Sequence, residues 1–427
     1  MHRKPWLYRP VGAALACLLA APLAAVAVTD PITPVAQSGR ADVVVGQTER
    51  VTLQQAVERA MQTHPALAAA GYEVAASEGA LDQARRLRNP EAAFTTEDVR
   101  RNRATMTAQL NIPLELGGKR SARTRAAELG RDAVSQDAAV LRAELRADVT
   151  RTFFDLVIAQ ERLTLARASD ALAAQAESAA ARRVQAGKVS PVEQTKAGVA
   201  RASAAIELRD AGAELLVAQR ALSAFWGGAA AAPEADGSAE TLPIVPAEAR
   251  QATNALDNTP RAVRARLEID RRQALANVER SKRVPDVTVS VGAKRDSSAN
   301  NNMAVLGIAV PLPLFDRNQG NLLEAQRLAD KAFEDYRALQ LEQNATLAQD
   351  VARLDAARTA VQSLRQDVLP GAQRAYDAAR IGFDAGKFNF LDVLDAQRTL
   401  FQARAQYLAA LSRAHQAAAG IDRILGR

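Results

Sequence analysis

The alternation of apolar and polar residues along the chain predicts two short pairs of strands. From Thr105 to Ile112 the even positions are apolar and the odd positions are polar, which is the two-residue period of a half-buried strand. Near residue 290 a second alternation places Val287, Val289 and Val291 between smaller or polar residues. Each pair supplies strands of roughly 8–10 residues, about the length that crosses a bilayer in a tilted β-barrel.

Polar loops and prolines are predicted to bound these strands. The loops are expected at Arg100–Arg103 and Arg295–Asn302. We expect Pro113 and Pro311 to end the ladders, because proline has no amide hydrogen to donate to a neighbouring strand.

Most of the remaining chain has the apolar spacing of long helices. Residues 131–185 form a run of 55 residues without glycine or proline, which is roughly 80 Å of α-helix. Helices of moderate length are predicted before the strand pairs, at Thr52–Leu87 and Arg250–Arg283, and Pro370–Gly371 is expected to kink the second long run. Narrow apolar stripes, which are typical of coiled-coil packing, comprise Leu141, Leu145, Val149, Phe153, Leu156 and Leu163 in the first run and Leu347, Val351, Leu354, Val361, Leu364 and Val368 in the second.

Each long run is predicted to end at a tip, from which a further helix returns. Gly187 and Gly386 are expected to provide the sharp turn of the backbone. Ser190–Glu193 predicts a capping box with proline at the first helical position of the return helix. Asn389 is the corresponding cap at the second tip, with Asp392 three residues further on.

The chain is interpreted as a tandem duplication, because four landmarks recur in the same order at shifts between 195 and 199 residues. The paired landmarks are His64-Pro65 with Thr259-Pro260, Pro90 with Pro285, Ile112–Leu114 with Val310–Leu312, and Ala186–Lys188 with Ala385–Lys387. The predicted divisions are a signal peptide at 1–27, an N-terminal linker at 28–50, a first repeat at 51–226, a linker or equatorial segment at 227–249 and a second repeat at 250–427.

The signal peptide is predicted from its charge and hydropathy. Basic residues precede an uncharged apolar stretch from Val11 to Val26, and Ala25–Ala27 provides a cleavage site of the A-x-A type. Cys17 is the single cysteine and lies inside this segment, where the apolar run before it is too short to favour lipidation. Processing at this site leaves a chain without cysteine, which excludes disulfides, zinc-thiolate sites and cysteine nucleophiles.

The composition also excludes most enzymatic and nucleic-acid-binding classes. The net charge is +7, from 55 basic and 48 acidic residues, and the two signs are interleaved without a basic arm. His64 is expected to be a turn or cap residue before Pro65, and His415 a packed or solvated residue of a return helix, so neither predicts a metal site. No nucleophile–base pair is apparent, and we expect no enzymatic activity, cofactor or metal. After the signal peptide no segment reaches the roughly 18 apolar residues of a transmembrane helix.

Four strands cannot close into a barrel, and an open strand edge is forbidden in lipid. Three chains would pool twelve strands, and the long helices would continue the ring as a hollow coiled-coil cylinder. The alternative from these pieces is a periplasmic helical bundle with two small hairpins.

The order of these elements, repeated twice, resembles the TolC-like outer-membrane factors over residues 50–425. The most specific residues are Asp392–Ala396 at the second tip. Leu114–Arg120, whose glycines we interpret as the bend from strand to helix, and Pro311–Asn318 are similar to the branch that serves cobalt–zinc–cadmium resistance exporters. The resemblance implies a mainly α-helical trimer, with a twelve-stranded barrel in the outer membrane and a helical tunnel through the periplasm.

The same resemblance assigns roles to the tips. Asp392 and Asp395 match the carboxylates that narrow the periplasmic mouth, and three copies would place six acids around one opening. A cap role for Asp392 is the alternative. The residues implied to dock a periplasmic adaptor are Gly187, Lys188 and Ser190 at the first tip and Gly386, Lys387 and Asn389 at the second.

These observations predict the outer-membrane exit duct of a three-part exporter for divalent heavy-metal cations. Its expected partners are an adaptor (membrane fusion) protein, an inner-membrane pump of the resistance-nodulation-division type, two further copies of the chain and outer-membrane lipid, with no nucleic acid. A duct for drug efflux or type I protein secretion, and a periplasmic structural coiled coil, remain as alternatives.

Overall fold

The computed structural model describes residues 49–98, 103–227, 232–250 and 256–427. The predicted signal peptide, Cys17 and most of the Arg100–Arg103 loop lie outside the described residues. The described chain is mostly helical with a small proportion of sheet. The helices are α1 (Leu53–Thr63), α2 (Pro65–Arg85), α3 (Lys119–Gln185), α4 (Pro191–Ser223), α5 (Ala247–Arg250), α6 (Pro260–Ser281), α7 (Gln319–Ser363), α8 (Leu369–Asp384) and α9 (Phe390–Leu425). The strands are β1 (Glu49–Val51), β2 (Glu91–Glu97), β3 (Thr105–Leu114), β4 (Pro233–Ala235), β5 (Val287–Asp296) and β6 (Asn301–Ala309).

The predicted helix over Thr52–Leu87 is wrong, because the structure divides it into α1 and α2 at His64. Pro65 lacks the amide that would continue α1, and it begins α2 at the position where that amide is not needed. His64 has extended backbone angles, and its Nδ1 accepts a hydrogen bond from the amide of Ala66 at 3.2 Å. The prediction of a cap residue at His64 is therefore confirmed.

The corresponding helix of the second half is shorter than the predicted Arg250–Arg283. It begins at Pro260, where the hydroxyl of Thr259 caps the amide of Ala262, and ends at Ser281. A single 3₁₀ turn, Leu256–Asn258, precedes it, and residues 251–255 lie outside the described chain.

The long helix α3 begins twelve residues before the predicted Arg131 and is 67 residues long, about 100 Å. Gly130 does not interrupt it, because a helix tolerates an interior glycine at a cost of about 1 kcal/mol. The middle of the first apolar stripe forms the core, where Val149, Phe153 and Leu156 are at most 2% exposed, whereas its two ends, Leu141 and Leu163, are half-buried. These side chains belong to one cluster with residues of α1, α4 and α9.

Buried alanines line the seam between α3 and the antiparallel α4. They occur at every seventh position and are at most 8% exposed, at Ala166, Ala173 and Ala180 on α3 and at Ala197, Ala204 and Ala211 on α4. Small side chains at this spacing let two helices pack closely along one narrow line. The result is a thin helical hairpin rather than a thick bundle.

The second long run is interrupted close to the predicted proline. A π-helical turn, Leu364–Val368, separates α7 from α8, and Pro370 occupies the first turn of α8. Leu347, Leu354 and Val361 of the predicted stripe are buried within the chain, whereas Val368 at its end is 42% exposed. The wide π turn shifts the residues that follow it around the helix axis.

The four longer strands form one antiparallel sheet in the order β2-β3-β5-β6. The predicted loop at Arg295–Asn302 is shorter than expected, because β5 continues to Asp296 and β6 begins at Asn301. β6 ends before Pro311 as predicted, whereas β3 continues through Pro113 to Leu114. β2 pairs only as far as Asn111, so beyond that residue β3 has a neighbour on one side only, the condition in which a strand tolerates proline.

The segment that connects the two halves contains ordered structure. β4 pairs in parallel with β1, and Gln160 of α3 bonds to both backbone groups of Ala235. Nearby, His415 is 5% exposed, its Nε2 lies 2.9 Å from the carbonyl oxygen of Ala239, and its ring stacks on Phe154 with centroids 3.7 Å apart. Burial lowers the pKa of His415, and the Ala239 hydrogen bond opposes this shift. His415 is therefore a packed residue, one of the two predicted possibilities.

Candidate functional site

The sheet has one apolar face that is exposed to the surroundings. Its cross-strand pairs Leu110–Val291 and Val291–Leu306 place apolar side chains side by side. These side chains are 42%, 49% and 81% exposed, respectively. A folded soluble domain would bury such a face, and its exposure indicates a surface that contacts another apolar medium.

The opposite face of the sheet is polar and internally hydrogen bonded. The hydroxyl of Ser290 donates to Asn111 at 2.7 Å, and Lys294 lies 3.4 Å from Glu97. The two-residue alternation of β3 therefore separates an apolar surface from a polar one, as predicted.

Both outer edges of the sheet lack a neighbouring strand. β2 and β6 each pair on one side only within the described residues. The helices that connect to these strands pack side by side in the same order as the strands, since α2 packs on α3, α3 on α6 and α6 on α7. Next to the sheet, the strands and helices thus form one layer whose outer members are β2 with α2 on one side and β6 with the start of α7 on the other.

The return helix α4 carries a stripe of exposed apolar residues. Val192, Val199 and Ile206 lie at seven-residue steps along α4 and are 55–62% exposed. They lie on the opposite side of α4 from its buried alanines. This spacing is that of a coiled-coil seam, and the described helices of the chain leave it exposed.

An ion-pair network joins the sheet to the helices. Glu115, just after β3, accepts two hydrogen bonds from Arg123 at 2.7 and 3.3 Å and lies 3.3 Å from Arg88. Asp286, just before β5, contacts the ammonium of Lys119 at 2.5 Å and Arg88 at 3.5 Å. The network connects both halves of the chain at one level.

The network lowers the pKa of both acids. The hydrogen bond from Arg123 is the main cause at Glu115, and it outweighs burial. At Asp286 burial acts in the opposite direction, but the hydrogen bonds from Lys119 and the amide of Leu116 exceed it. Gly117 and Gly118 form the bend predicted here, with φ of 68° and 71°. A Cβ at Gly117 would lie 2.6 Å from that of Val284.

Replacing Glu115 with glutamine should destabilise this junction. The carboxylate is 5% exposed, and its loss leaves Arg123 without its charged partner, which we expect to cost about 1–3 kcal/mol. Because the folded pKa is depressed, the stabilisation is present above the unfolded pKa and disappears as the pH falls through the folded value. Thermal unfolding in detergent should show a lower Tm for Glu115→Gln at pH 7 and a smaller difference near pH 3. An equal difference at both pH values would contradict the ion-pair explanation, and Glu207→Gln, at an exposed position of α4 without an ion pair in the described residues, is the control.

The helices that lead to the two tips, α3 and α8, end in the same type of turn. At the first tip the amides of Lys188 and Gly187 donate to the carbonyls of Arg183 and Val184, and Gly187 has a φ of 68°. This is the Schellman arrangement, which needs a left-handed residue at the end of the helix. The turn predicted at Gly187 is present in the structure.

At the second tip the amides of Lys387 and Gly386 donate to Gly382 and Phe383 in the same pattern, and Gly386 has a φ of 73°. A Cβ on Gly382 would lie 2.2 Å from the ring of Phe388, so this tip also requires a glycine before its turn. Sequence reasoning did not identify Gly382, because the ring contact arises only in the folded tip.

The two return helices begin with different caps. The Ser190 side chain accepts from the amide of Val192, while the Glu193 amide bonds to the Ser190 carbonyl. The predicted capping box at Ser190 is therefore wrong, and a simple cap takes its place. Asn389 and Asp392 do form a reciprocal box, with bonds of 2.9 and 3.2 Å between each side chain and the other's amide.

The structure places Asp392 and Asp395 on one exposed face of α9. Asp392 is engaged in the cap, whereas the side chain of Asp395 makes no hydrogen bond or ion pair with the described residues. Lys188 and Lys387 are exposed beside them at the ends of the two tips. Arg183 lies over the ring of Phe383, 3.7 Å from its centroid, and joins α3 to α8 just above both turns.

No described helix is both long enough and apolar enough to cross a membrane. In the same part of the chain, no three His, Cys, Asp or Glu side chains are grouped so that they could hold a metal ion.

Comparison with known proteins identifies the family. The family model described as "Outer membrane efflux protein" matches residues 40–228 and 252–427. The chain belongs to the outer membrane efflux protein family. It is 50% identical over 409 residues to the cobalt-zinc-cadmium resistance protein CzcC of Cupriavidus metallidurans, covering 94% of this chain and 98% of the relative.

Solved structures show the same fold. A membrane protein from Pseudomonas aeruginosa superposes with a TM-score of 0.77 at 21% identity, over 87% of this chain and 92% of its own. CusC, described in a study of folding and transmembrane channel formation, gives a TM-score of 0.76 at 18% identity, over 90% and 95% of the two chains. The resemblance to TolC-like channels predicted from the sequence is confirmed.

Proposed function

We propose that three copies of the chain close into an outer-membrane duct with a twelve-stranded barrel above a helical tunnel. The observation that carries this proposal is a four-stranded sheet with an exposed apolar face and two unpaired edges. Lipid admits no open edge, so β6 of one copy must pair with β2 of the next. The outer helices next to the sheet, α2 and the start of α7, accompany its outer strands and support the same closure.

The proposed duct is the passive exit of a tripartite exporter, with a periplasmic adaptor and an inner-membrane resistance-nodulation-division pump as its partners. Its proposed cargo is a divalent heavy-metal cation of the cobalt, zinc or cadmium type. This cargo rests on the 50% identity, over nearly the whole chain, to a relative named for resistance to those metals. We also propose that the two halves, 51–226 and 250–427, are repeats of one unit, since both contain a proline-started helix, a strand pair and a glycine-stopped tip.

The function is tested in a strain that retains the matching adaptor and pump but lacks this chain. Restoring the chain should lower cell-associated cobalt, zinc and cadmium and restore growth in their presence. The purified protein should be a detergent-dependent trimer. A monomeric, detergent-free particle with full helicity would overturn the barrel. Restored drug tolerance or protein secretion without metal tolerance would overturn the cargo.

We propose that Asp392 and Asp395 line the narrowest part of the periplasmic mouth, and that the glycine tips with Lys188, Ser190, Lys387 and Asn389 dock the adaptor. The support is geometric, since both acids share one exposed face of α9 within six residues of the tip. Threefold symmetry would bring six carboxylates around one opening, an arrangement that favours cations and resists anions.

Asp395→Ala is the direct test of this ring, because no cap role competes at that position. We expect a higher single-channel conductance or weaker cation preference, and weaker block by multivalent cations added from the periplasmic side. Asp392→Asn is the comparison, since it removes a charge but also disturbs the cap with Asn389. Parental conductance, selectivity and block in Asp395→Ala would show that this acid is only solvated helix surface.

A further inference from the structure

The helix ends that border the sheet carry exposed arginines at a single level. Because the four strands are antiparallel, Glu91, Leu114, Val287 and Ala309 all lie at the end of the sheet that meets the helices. Each connection between a helix and one of these strand ends contains an exposed arginine. These are Arg86 after α2, Arg120 at the start of α3, Arg283 after α6 and Arg317 before α7.

Three acids at this level are already neutralised by other cations, whereas Glu91 and Asp316 are exposed and make no ion pair in the described residues. Glu115 and Asp286 are held by Arg123, Lys119 and Arg88, as described above. Glu279 contacts Lys282 at 2.6 Å and the amide of Asn318 at 2.8 Å. None of the four arginines makes an ion pair with an acid in the described residues. The four arginines outnumber Glu91 and Asp316, so each protomer presents an excess of positive charge at this level.

Helix ends account for three of these four charges. Arg86 and Arg283 follow the C-terminal ends of helices, where the helix dipole favours a cation. Arg120 lies in the first turn of α3, but its Nε donates a hydrogen bond at 2.9 Å to the carbonyl of Arg85 at the C-terminal end of α2. Arg317 lies before the N-terminal end of α7, where the dipole opposes a cation, and it has no ion-pair partner in the described residues, which favours an external anion.

Exposed apolar side chains accompany the arginines. Leu87, Leu116, Val284 and Phe315 lie one to four residues from the nearest of them and are 71%, 42%, 41% and 91% exposed. A long basic side chain beside apolar surface is the arrangement that places a charge among headgroups and its stem among acyl chains. Membrane interfaces usually carry Trp and Tyr. Residues 86–120 and 283–317 contain neither, so Trp and Tyr cannot be the interface residues of these segments.

We propose that these four arginines and their apolar neighbours form a lipid collar, which binds anionic glycerophospholipids of the leaflet that borders the helices. The guanidinium groups would bind the phosphates with paired hydrogen bonds, and the apolar side chains would contact the acyl chains. The inference rests on the proposed function, because it requires the sheet to lie in the membrane. It adds a lipid class to the expected lipid contact.

Native mass spectrometry of the detergent-solubilised trimer, titrated with phosphatidylglycerol or phosphatidylcholine, tests the lipid collar. The parent should bind phosphatidylglycerol more tightly, and the preference should weaken as salt is raised. Replacing all four arginines with glutamine should weaken phosphatidylglycerol binding at least tenfold and phosphatidylcholine binding much less, because choline already compensates the phosphate charge of that lipid. Glycerol phosphate at the same concentration should not displace the lipid, since the apolar contacts require the acyl chains.

The matched control makes the same charge change elsewhere on the protein. It replaces four exposed arginines of α3 and α4 that also lack described acidic partners, Arg142, Arg146, Arg209 and Arg220. This variant should bind phosphatidylglycerol as the parent does. An equal loss in both variants, or no lipid preference in the parent trimer, would overturn the lipid collar.

Two further readouts separate the possible failures. If the fourfold variant does not assemble, the single changes Arg120→Gln and Arg317→Gln should each weaken phosphatidylglycerol binding by about two- to fivefold; unchanged binding in both would reject the lipid collar. If the parent itself forms no detergent-dependent trimer, the proposed duct fails with it. A normal trimer without lipid preference rejects the lipid collar alone.

Discussion

Arginine at Leu110 should prevent the protein from assembling in the outer membrane, whereas arginine at the adjacent Gln109 should be tolerated. Leu110 lies in the middle of β3 on the exposed apolar face, and Gln109 lies on the polar face of the same strand. An arginine on the lipid face near the middle of a bilayer costs about 2–4 kcal/mol. A trimer would pay this three times, a total comparable to the whole stability of a typical domain.

The measurement is the fraction of each variant that is recovered as a trimer from the outer-membrane fraction. Leu110→Arg should give little or no trimer, and Gln109→Arg should give close to the parental amount, because its charge would extend into an aqueous lumen. The two variants introduce the same residue at neighbouring positions of one strand, so a difference between them cannot come from the strand propensity of arginine. Normal assembly of Leu110→Arg, or equal loss in both variants, would contradict a lipid-facing role for this side of the sheet.

The strands were predictable because their two-residue period is a local property. The alternation in β3 marks the face that the structure leaves exposed. The predicted end of β3 at Pro113 was wrong, because the cost of a proline depends on whether a neighbouring strand is present at that position. β2 begins at Glu91, which pairs with Asn111, and therefore does not extend alongside Pro113. The pairing of β3 with β5, about 180 residues apart, has no local signal either.

The helical stops were predictable where one residue type fixes the backbone. Gly187 and Gly386 adopt the positive φ that the turn requires, and His64 caps a helix that starts with proline. The alanine seam between α3 and α4 is present in the sequence as a seven-residue repeat. Alanine is so frequent in this chain that the repeat is less distinctive than the spacing of the large apolar residues. The ion-pair network of Glu115 and Asp286 was not predictable, because its members come from both halves of the chain.

The tip geometry provides the other large expected effect. Valine at Gly386 should abolish export while leaving the amount of outer-membrane trimer unchanged. Gly386 has a φ of 73°, a conformation that is strongly unfavourable for a β-branched residue. No atom lies within 4 Å of a Cβ placed there, so the effect comes from the backbone rather than from a clash. The Schellman bonds to Gly382 and Phe383 would break, and the start of α9 with its Asn389–Asp392 box would shift.

Two controls isolate this cause. Gly386→Asn should retain most export, because asparagine tolerates the left-handed region better than other residues with a Cβ. Gly71→Val introduces the same side chain at an exposed helical glycine without positive φ, also with open space around it, and should export normally. The readouts are cell-associated metal and the amount of trimer in the outer membrane, measured in the same cells. Full export by Gly386→Val would show that the proposed docking of the adaptor does not depend on this turn. Loss of the trimer as well would mean that Gly386→Val impairs assembly and not only docking. A tip that serves only docking can be distorted without disturbing a barrel at the far end of α3 and α7.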